Sequence, residues 1–153
     1  MEAKTKKNIF ITVFITSIII IGACAGILMA RCISRSSFNN AVDSCREAVI
    51  DGFAGRNIIE VNGHTVNIRI WSDGMAAASK AAAEGDKTLL EGWNITRDKM
   101  YLTACSLYDK FLFVDDAVVY FRFVNESNTD RDLLVFRNKE LIYDVVAAYQ
   151  NGG

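Results

Sequence analysis

An uncharged apolar run near the N-terminus constrains this chain more than any other feature of its sequence. From Ile9 to Ala30 no residue is charged, and most positions are Ile, Phe, Val, Leu, Ala or Gly. At 1.5 Å per residue, these 22 residues form a helix of about 33 Å, enough to cross a hydrocarbon core of about 30 Å. A helix that is apolar on all sides has no polar face to turn towards water. The sequence therefore predicts a single transmembrane anchor at residues 9–30.

The basic residues on either side of this run predict its orientation. Lys4, Lys6 and Lys7 precede it, and Arg31 and Arg35 follow it. The cytoplasmic flank of a membrane helix carries the excess of Lys and Arg. Three lysines and the terminal amino group against two arginines favour a short cytoplasmic tail at residues 1–8. The remainder is then an extracytoplasmic domain held at the cell membrane.

Two patterns inside the run lead to further expectations. Ile21-Gly22-Ala23-Cys24 resembles a bacterial lipobox, in which the cysteine becomes a lipidated N-terminus. The next six residues stay apolar where lipoproteins usually turn polar, which favours an uncut anchor over lipidation at Cys24. Gly22 and Gly26 form a GxxxG motif that lets two membrane helices pack closely as a homodimer. Small residues are also common in membrane helices that do not pair.

The charge of the rest of the chain excludes one large class of partners. Ile33 to Gly153 contains 13 Lys and Arg against 17 Asp and Glu, a formal charge of −4. Neutralising phosphates supplies most nucleic-acid affinity, so a mildly acidic domain without a basic run is a poor nucleic-acid binder. These roughly 120 residues are enough to bury a core without a metal or several disulfides.

Apolar spacing and turn signals predict an α+β domain at residues 34–150. Apolar residues recur at three- and four-residue steps in helices, whereas they alternate in half-buried strands. Asn62-Gly63 predicts a hairpin turn, and Asp73 and Thr96 are candidate helix caps. The predicted helices span residues 34–53, 75–84 and 97–112, and the predicted strands span residues 58–61, 65–71, 117–124, 133–137 and 141–146.

This order of elements predicts helices packed on one face of a curved antiparallel sheet. The hairpin supplies two of its strands, and a three-stranded meander supplies the others. Residues 86–93 are expected to form a short helix or a turn.

Aromatic and arginine side chains on the predicted sheet mark the best candidate for a partner surface. Arg69 and Trp71 share one face of their strand, Tyr120 and Arg122 share one face of theirs, and Arg137 ends the next strand. If the register brings them together, they suit a carboxylate-bearing ligand or an acidic protein partner. The alternative is a solvated face whose arginines pair with Glu60, Asp132 or Asp144.

Two cysteines of the domain are candidates for a disulfide. Cys45 and Cys105 each lie within an apolar stripe of a predicted helix. They can pair in an oxidising compartment if the two helices pack together. The alternative is two buried free thiols acting as small hydrophobic residues.

Three polar residues are the only candidates for chemistry. His64 follows the hairpin glycine, and Asp115 and Asp116 form a carboxylate pair before a strand. A lone histidine without nearby ligands is more often a surface residue than a metal site. Adjacent aspartates are more often turn formers than catalytic groups. We expect no catalytic residue, metal or cofactor.

The sequence therefore predicts a non-enzymatic interaction or assembly module of the cell envelope, anchored in the bilayer. The first alternative is a small-ligand-binding domain with a pocket between sheet and helices. A lipoprotein lipidated at Cys24 is a further alternative, and an enzyme that uses His64, Asp115 or Asp116 ranks last.

Overall fold

The computed structural model describes residues 36–53 and 56–152. Nearly all of them belong to a compact unit that begins at Phe38. The predicted anchor at 9–30, with Gly22, Cys24 and Gly26, lies outside the described residues. Among the helices that are described, none combines the length and the apolar character needed to span a membrane.

The first described helix, α1 (36–53), confirms the helix predicted at residues 34–53. Phe38, Val42, Cys45 and Val49 are buried, as their spacing predicts. Ala48 lies three residues after Cys45, where the same spacing predicts burial, but it is exposed. The buried stripe is therefore narrower than the sequence indicates, and it follows the three- and four-residue steps from Phe38 to Val49.

The predicted hairpin is confirmed, with its turn one residue later than expected. Strand β1 (Asn57–Asn62) pairs antiparallel with β2 (Thr65–Ile70), and Asn62 lies opposite Thr65. The two-residue turn is therefore Gly63-His64 rather than Asn62-Gly63. Gly63 has a φ of 58°, and a glycine with positive φ at the first turn position is typical of a type II′ hairpin.

The first helix after the hairpin does not have the N-terminal cap that the sequence predicted. Helix α2 (Met75–Ala83) has Gly74 at its N-cap without a side-chain cap, so the prediction that Asp73 caps this helix is wrong. Asp73 forms an ion pair with Arg56 instead. The backbone N–H of Ala76 donates to the Glu126 carboxylate at 3.1 Å, so a distant side chain satisfies the helix start.

The sequence predicted a short helix or turn at residues 86–93 and a separate helix at residues 97–112. The structure has one long helix instead, α3 (Lys87–Asp109). Asp86 caps it by accepting from the N–H of Leu89 at 3.0 Å. Thr96, predicted to cap the second piece, lies inside the helix, where its hydroxyl donates to the Gly92 carbonyl at 3.0 Å.

The predicted meander is confirmed, and it ends in a helix that was not predicted. Its strands are β3 (Val118–Asn125), β4 (Asn128–Arg137) and β5 (Glu140–Asp144). The last predicted strand, 141–146, gives way to helix α4 (Val145–Gln150). Asp144 caps α4 by accepting from the N–H of Val146 at 2.9 Å.

All five strands form one sheet in the order β1-β2-β3-β4-β5, and this sheet is mixed. The prediction of a wholly antiparallel sheet is wrong at one junction, because β2 and β3 run parallel. Parallel neighbours need a crossover connection, and α2 and α3 supply it. Bulges interrupt the pairing of β3 with β4 and of β4 with β5, and bulges bend the strands that carry them.

The hydrophobic core lies between α1, α3 and one face of the sheet. Phe121 and Phe136 are almost fully buried in the middle of that face. The ring of Phe53 on α1 lies 6.3 Å from that of Phe121, and the ring of Tyr101 on α3 lies 6.2 Å from that of Phe136. The helices therefore cover this face, and the other face of the sheet is available to form a site.

Candidate functional site

The register places four of the five predicted partner residues side by side on the sheet face opposite the core. Arg69 on β2 is paired with Arg122 on β3, and Tyr120 is paired with Arg137 on β4. Neighbouring strands lie about 4.8 Å apart, so these side chains form one continuous surface. Trp71 follows the end of β2 and is half-buried. Its backbone N–H donates to the Arg56 carbonyl at 3.2 Å.

This surface forms the floor of a groove with a volume of about 960 Å³. Tyr120, Arg122 and Arg137 line the groove, whereas Arg69 and Trp71 lie outside its lining. One side of α2 and the segment from β5 into α4 supply the walls. The sequence indicated the floor, but it did not indicate that helices enclose it.

The groove has an apolar and aromatic part that the sequence analysis missed. Leu133 and Val135 lie in its floor, and Tyr143, Val145 and Tyr149 form part of its wall. Tyr149 is 60% exposed, so much of this aromatic wall is open to solvent. The signal that locates the wall in the sequence is Asp144, because a capping residue directly before Val145 favours a helix start there.

The charged residues of the groove give it an excess of positive charge. Four cationic side chains, those of Lys80, Arg122, Arg131 and Arg137, face two carboxylates, those of Glu84 and Asp132. The domain as a whole is acidic, with a formal charge of −4 from residue 33 onwards. The groove is therefore a local cationic site, which attracts anions that the rest of the surface repels.

Some of these cations are neutralised within the site and others are not. Arg122 forms an ion pair with Asp132 at 3.4 Å, and Lys80 lies 3.8 Å from Glu84. Arg131 and Arg137 form no ion pair with any residue in the described part of the chain. These two arginines are the ones available to an incoming carboxylate or phosphate.

The pair at the centre of the groove is incompletely satisfied. Nε of Arg122 and Oδ1 of Asp132 are buried, and neither has a hydrogen-bond partner within the described ranges. Burial raises the pKa of Asp132, and this effect exceeds the opposing attraction of Arg122 and Arg69. The Arg122 guanidinium also lies 5.8 Å from the centre of the Tyr120 ring, which fixes it over an aromatic face.

Arg69 has a different role from its neighbour Arg122. Its guanidinium donates to Glu60 at 2.8 Å and lies 3.5 Å from Asp130. The side chain is only 17% exposed. The alternative interpretation of the arginine face, pairing with nearby carboxylates, therefore holds for Arg69, and it holds for Arg122 in its pair with Asp132.

A buried polar cluster fixes the wall that α4 contributes. Asp144 Oδ1 accepts from Trp93 Nε1 at 3.0 Å as well as from the backbone of α4. Its Oδ2 lies 3.7 Å from a guanidinium nitrogen of Arg97. Since Trp93 and Arg97 belong to α3, this carboxylate ties the start of α4 to the long helix. The cluster thereby positions Val145 and Tyr149 at the groove.

The residues predicted as candidates for chemistry do not meet. The His64 ring stacks 5.1 Å from that of Phe38, at the hairpin turn. Asp115 and Asp116 are exposed in the turn before β3, where Asp116 has a φ of 61°. In the part of the chain that the structure describes, no three His, Cys, Asp or Glu residues come together as metal ligands.

The two candidate disulfide cysteines are free thiols in the structure. Cys45 is buried in α1, and burial raises the pKa of its thiol to about 11. Cys105 is half-buried on α3. Its neighbours Ser106 and Leu107 line a cleft between α3 and α1, whereas Cys105 is not part of the cleft lining. The disulfide between Cys45 and Cys105 stays a prediction.

Comparisons with protein families, with curated proteins and with solved structures found no match to this chain. The site is therefore interpreted from its own chemistry.

Proposed function

We propose that this protein is a non-catalytic interaction module of the cell envelope, held at the membrane by residues 9–30. Its groove binds a segment of a partner protein that carries acidic and apolar side chains. The observation that carries this proposal is the groove itself, a cationic site on an acidic domain with an aromatic wall.

The charges of the groove support an acidic partner. Arg131 and Arg137 are exposed, and neither has a carboxylate partner in the described part of the chain. Arginine binds carboxylates through two parallel hydrogen bonds, which makes such contacts both strong and directional. A partner segment with one or two Asp or Glu residues complements these donors.

The shape of the groove supports a protein segment rather than a small molecule. Ile142 is 53% exposed and Tyr149 is 60% exposed, so the wall forms an open aromatic and aliphatic rim. Small-molecule sites enclose most of their ligand, whereas protein interfaces are enriched in exposed Tyr and Arg. A small anionic ligand is the second candidate, because the volume of about 960 Å³ lies within the range of such sites.

Charge reversal in the groove tests this proposal. In the full chain extracted from native membranes, the double variant Arg131→Glu and Arg137→Glu places two carboxylates where the acidic segment docks. We expect recovery of the bound partner to fall at least tenfold, since like charges across an interface cost on the order of 1.4 kcal/mol or more.

Arg46→Glu is the matched control, because Arg46 is an exposed arginine of α1 that pairs with Asp43 at 3.4 Å. This variant should recover the partner as well as the wild type does. Equal recovery from the groove variant and the control would show that the groove is not the partner site. Recovery of a small anion by mass spectrometry, without any protein, would favour the second candidate.

A further inference from the structure

The turn between α3 and β3 exposes two large apolar residues at its tip. Phe113 is 93% exposed and Leu112 is 58% exposed, although Phe111 and Val114 on either side are buried. Burying side chains of this size away from water is favourable, and the fold leaves that free energy unused. Single exposed apolar residues are ordinary, whereas these two adjacent ones form a small apolar patch at the turn.

The turn holds these residues in a fixed position. The N–H of Phe111 donates to the Tyr108 carbonyl at 2.8 Å, and the N–H of Val114 donates to the Phe111 carbonyl at 2.9 Å. With Phe111 and Val114 anchored in the core, the two residues between them cannot turn inward together. The exposed pair is therefore presented by the fold, and little conformational entropy is lost when it is buried.

The tip lies beside the start of α1. The ring of Phe38, in the first turn of the described part of α1, lies 5.9 Å from that of Phe111. The same ring lies 5.1 Å from His64 in the hairpin turn. The chain therefore enters the domain at the end that carries Leu112 and Phe113.

The length of the connection links this end to the predicted anchor. Residues 31–35 are all that separate Ala30, the last residue of the predicted span, from Ser36. Six residue steps reach at most about 20 Å, even when the chain is fully extended. The start of α1 must then lie within about 20 Å of the membrane surface if the span is correct.

We propose that Leu112 and Phe113 insert into the interfacial layer of the lipid bilayer, as a second contact beside the anchor. This inference rests on the membrane anchor of the proposed function. The contact is apolar in nature: Asp115 and Asp116 are exposed in the same turn and oppose anionic lipid. It requires no anionic headgroup, and high salt does not release it.

Fluorescence quenching in phosphatidylcholine vesicles tests this contact. The full chain is reconstituted with lipids brominated in their acyl chains, which quench only tryptophans that reach them. The emission added by Phe113→Trp should be quenched by about half or more. Ile95→Trp is the matched control, because Ile95 is 52% exposed and lies 14 residues before the end of α3, about 21 Å along the helix axis.

The wild type supplies the background from Trp71 and Trp93, and Leu112→Trp provides a second probe if Phe113→Trp fails to fold. An alkaline carbonate wash of the vesicles distinguishes the membrane anchor from the bilayer contact of Leu112 and Phe113. Release of the chain by the wash would contradict the anchor and with it the proposed function. Retention of the chain with no more quenching at residues 112 and 113 than at residue 95 would contradict the bilayer contact alone.

Discussion

Replacing Asp144 by alanine should destabilise the wall of the groove more than any other single substitution. The residue is 7% exposed, and its carboxylate accepts hydrogen bonds from Trp93 and from the N–H groups of Val146 and Ala147. Asp144→Ala removes all three bonds. It also removes the attraction of Arg97, which lies 3.7 Å away.

The magnitude follows from two separable losses. Removing a helix N-cap costs about 1 kcal/mol. Leaving the buried indole N–H of Trp93 without a partner costs about 1–3 kcal/mol more. The free energy of unfolding should therefore fall by about 3 kcal/mol, which for a domain of this size lowers the melting temperature by about 12 °C.

Asp144→Asn separates the charge from the cap. Asparagine is as good an N-cap as aspartate, so the bonds to the start of α4 remain and the loss should be only about 1 kcal/mol. The control is Asp130→Ala, whose side chain is 87% exposed and whose removal should cost less than about 0.5 kcal/mol.

Urea unfolding of the full chain in detergent, followed by circular dichroism, measures all three variants. If Asp144→Ala is no less stable than Asp130→Ala, the buried cluster does not hold α4 in place. The positions of Val145 and Tyr149 would then need another explanation.

Three further predictions concern single residues. Because burial raises the pKa of Asp132, ionising this carboxyl costs more free energy in the folded chain than in the unfolded chain. The wild type should therefore lose stability relative to Asp132→Asn as the pH rises above about 4, and a flat difference in urea midpoints between pH 4 and pH 7 would contradict this. Because the pKa of the buried Cys45 thiol is about 11, iodoacetamide at pH 8 should modify Cys45 only after the domain unfolds. Peptide mapping by mass spectrometry measures this, and alkylated Cys45 in the folded chain would disprove its burial. Glu126→Ala should lower the free energy of unfolding by about 1 kcal/mol, because the N–H of Ala76 loses its acceptor. Glu126→Gln keeps an acceptor oxygen, so its loss of stability should be smaller. Equal losses for the two variants in urea unfolding would show that the amide does not substitute for the carboxylate.

The sequence predicted the individual elements of the fold better than their assembly. Local signals were sufficient for α1 and for the hairpin, where the glycine at position 63 and the alternation of β2 act within a few residues. The parallel pairing of β2 with β3 was not predictable in this way. It depends on how α2 and α3 pack during the crossover, and contacts between residues far apart in the chain decide that packing.

The errors within single elements also have physical causes. The prediction that Thr96 caps a helix placed a break within α3, but the Thr96 hydroxyl bonds within the helix. The one glycine inside α3, Gly92, costs a long helix only about 1 kcal/mol. Val145 and Val146 favour a strand by propensity. The Asp144 cap and the packing of α4 against α2 and β4 override that preference.

The candidate site was predicted in part, because alternation assigns residues to a face of a strand but not to a cavity. Tyr120, Arg122 and Arg137 were correctly placed on one surface. Their enclosure by α2 and α4 depends on tertiary packing that alternation does not encode. The same limit explains Arg69, whose pairs with Glu60 on β1 and Asp130 on β4 require the register of the four strands β1 to β4.

Site-specific photo-crosslinking in living cells tests the central claim most directly. p-Benzoylphenylalanine in place of Tyr149 sits on the wall of the groove, where the tyrosine is 60% exposed. The same substitution at Tyr101 samples a tyrosine of α3 that lies outside the groove and is 41% exposed. We predict that irradiation links the residue-149 probe to one defined protein, through a segment that contains acidic and apolar residues, and that the residue-101 probe gives no such product. A product of the same mass and yield from both positions, or none from residue 149, would contradict the assignment of the groove as the binding site.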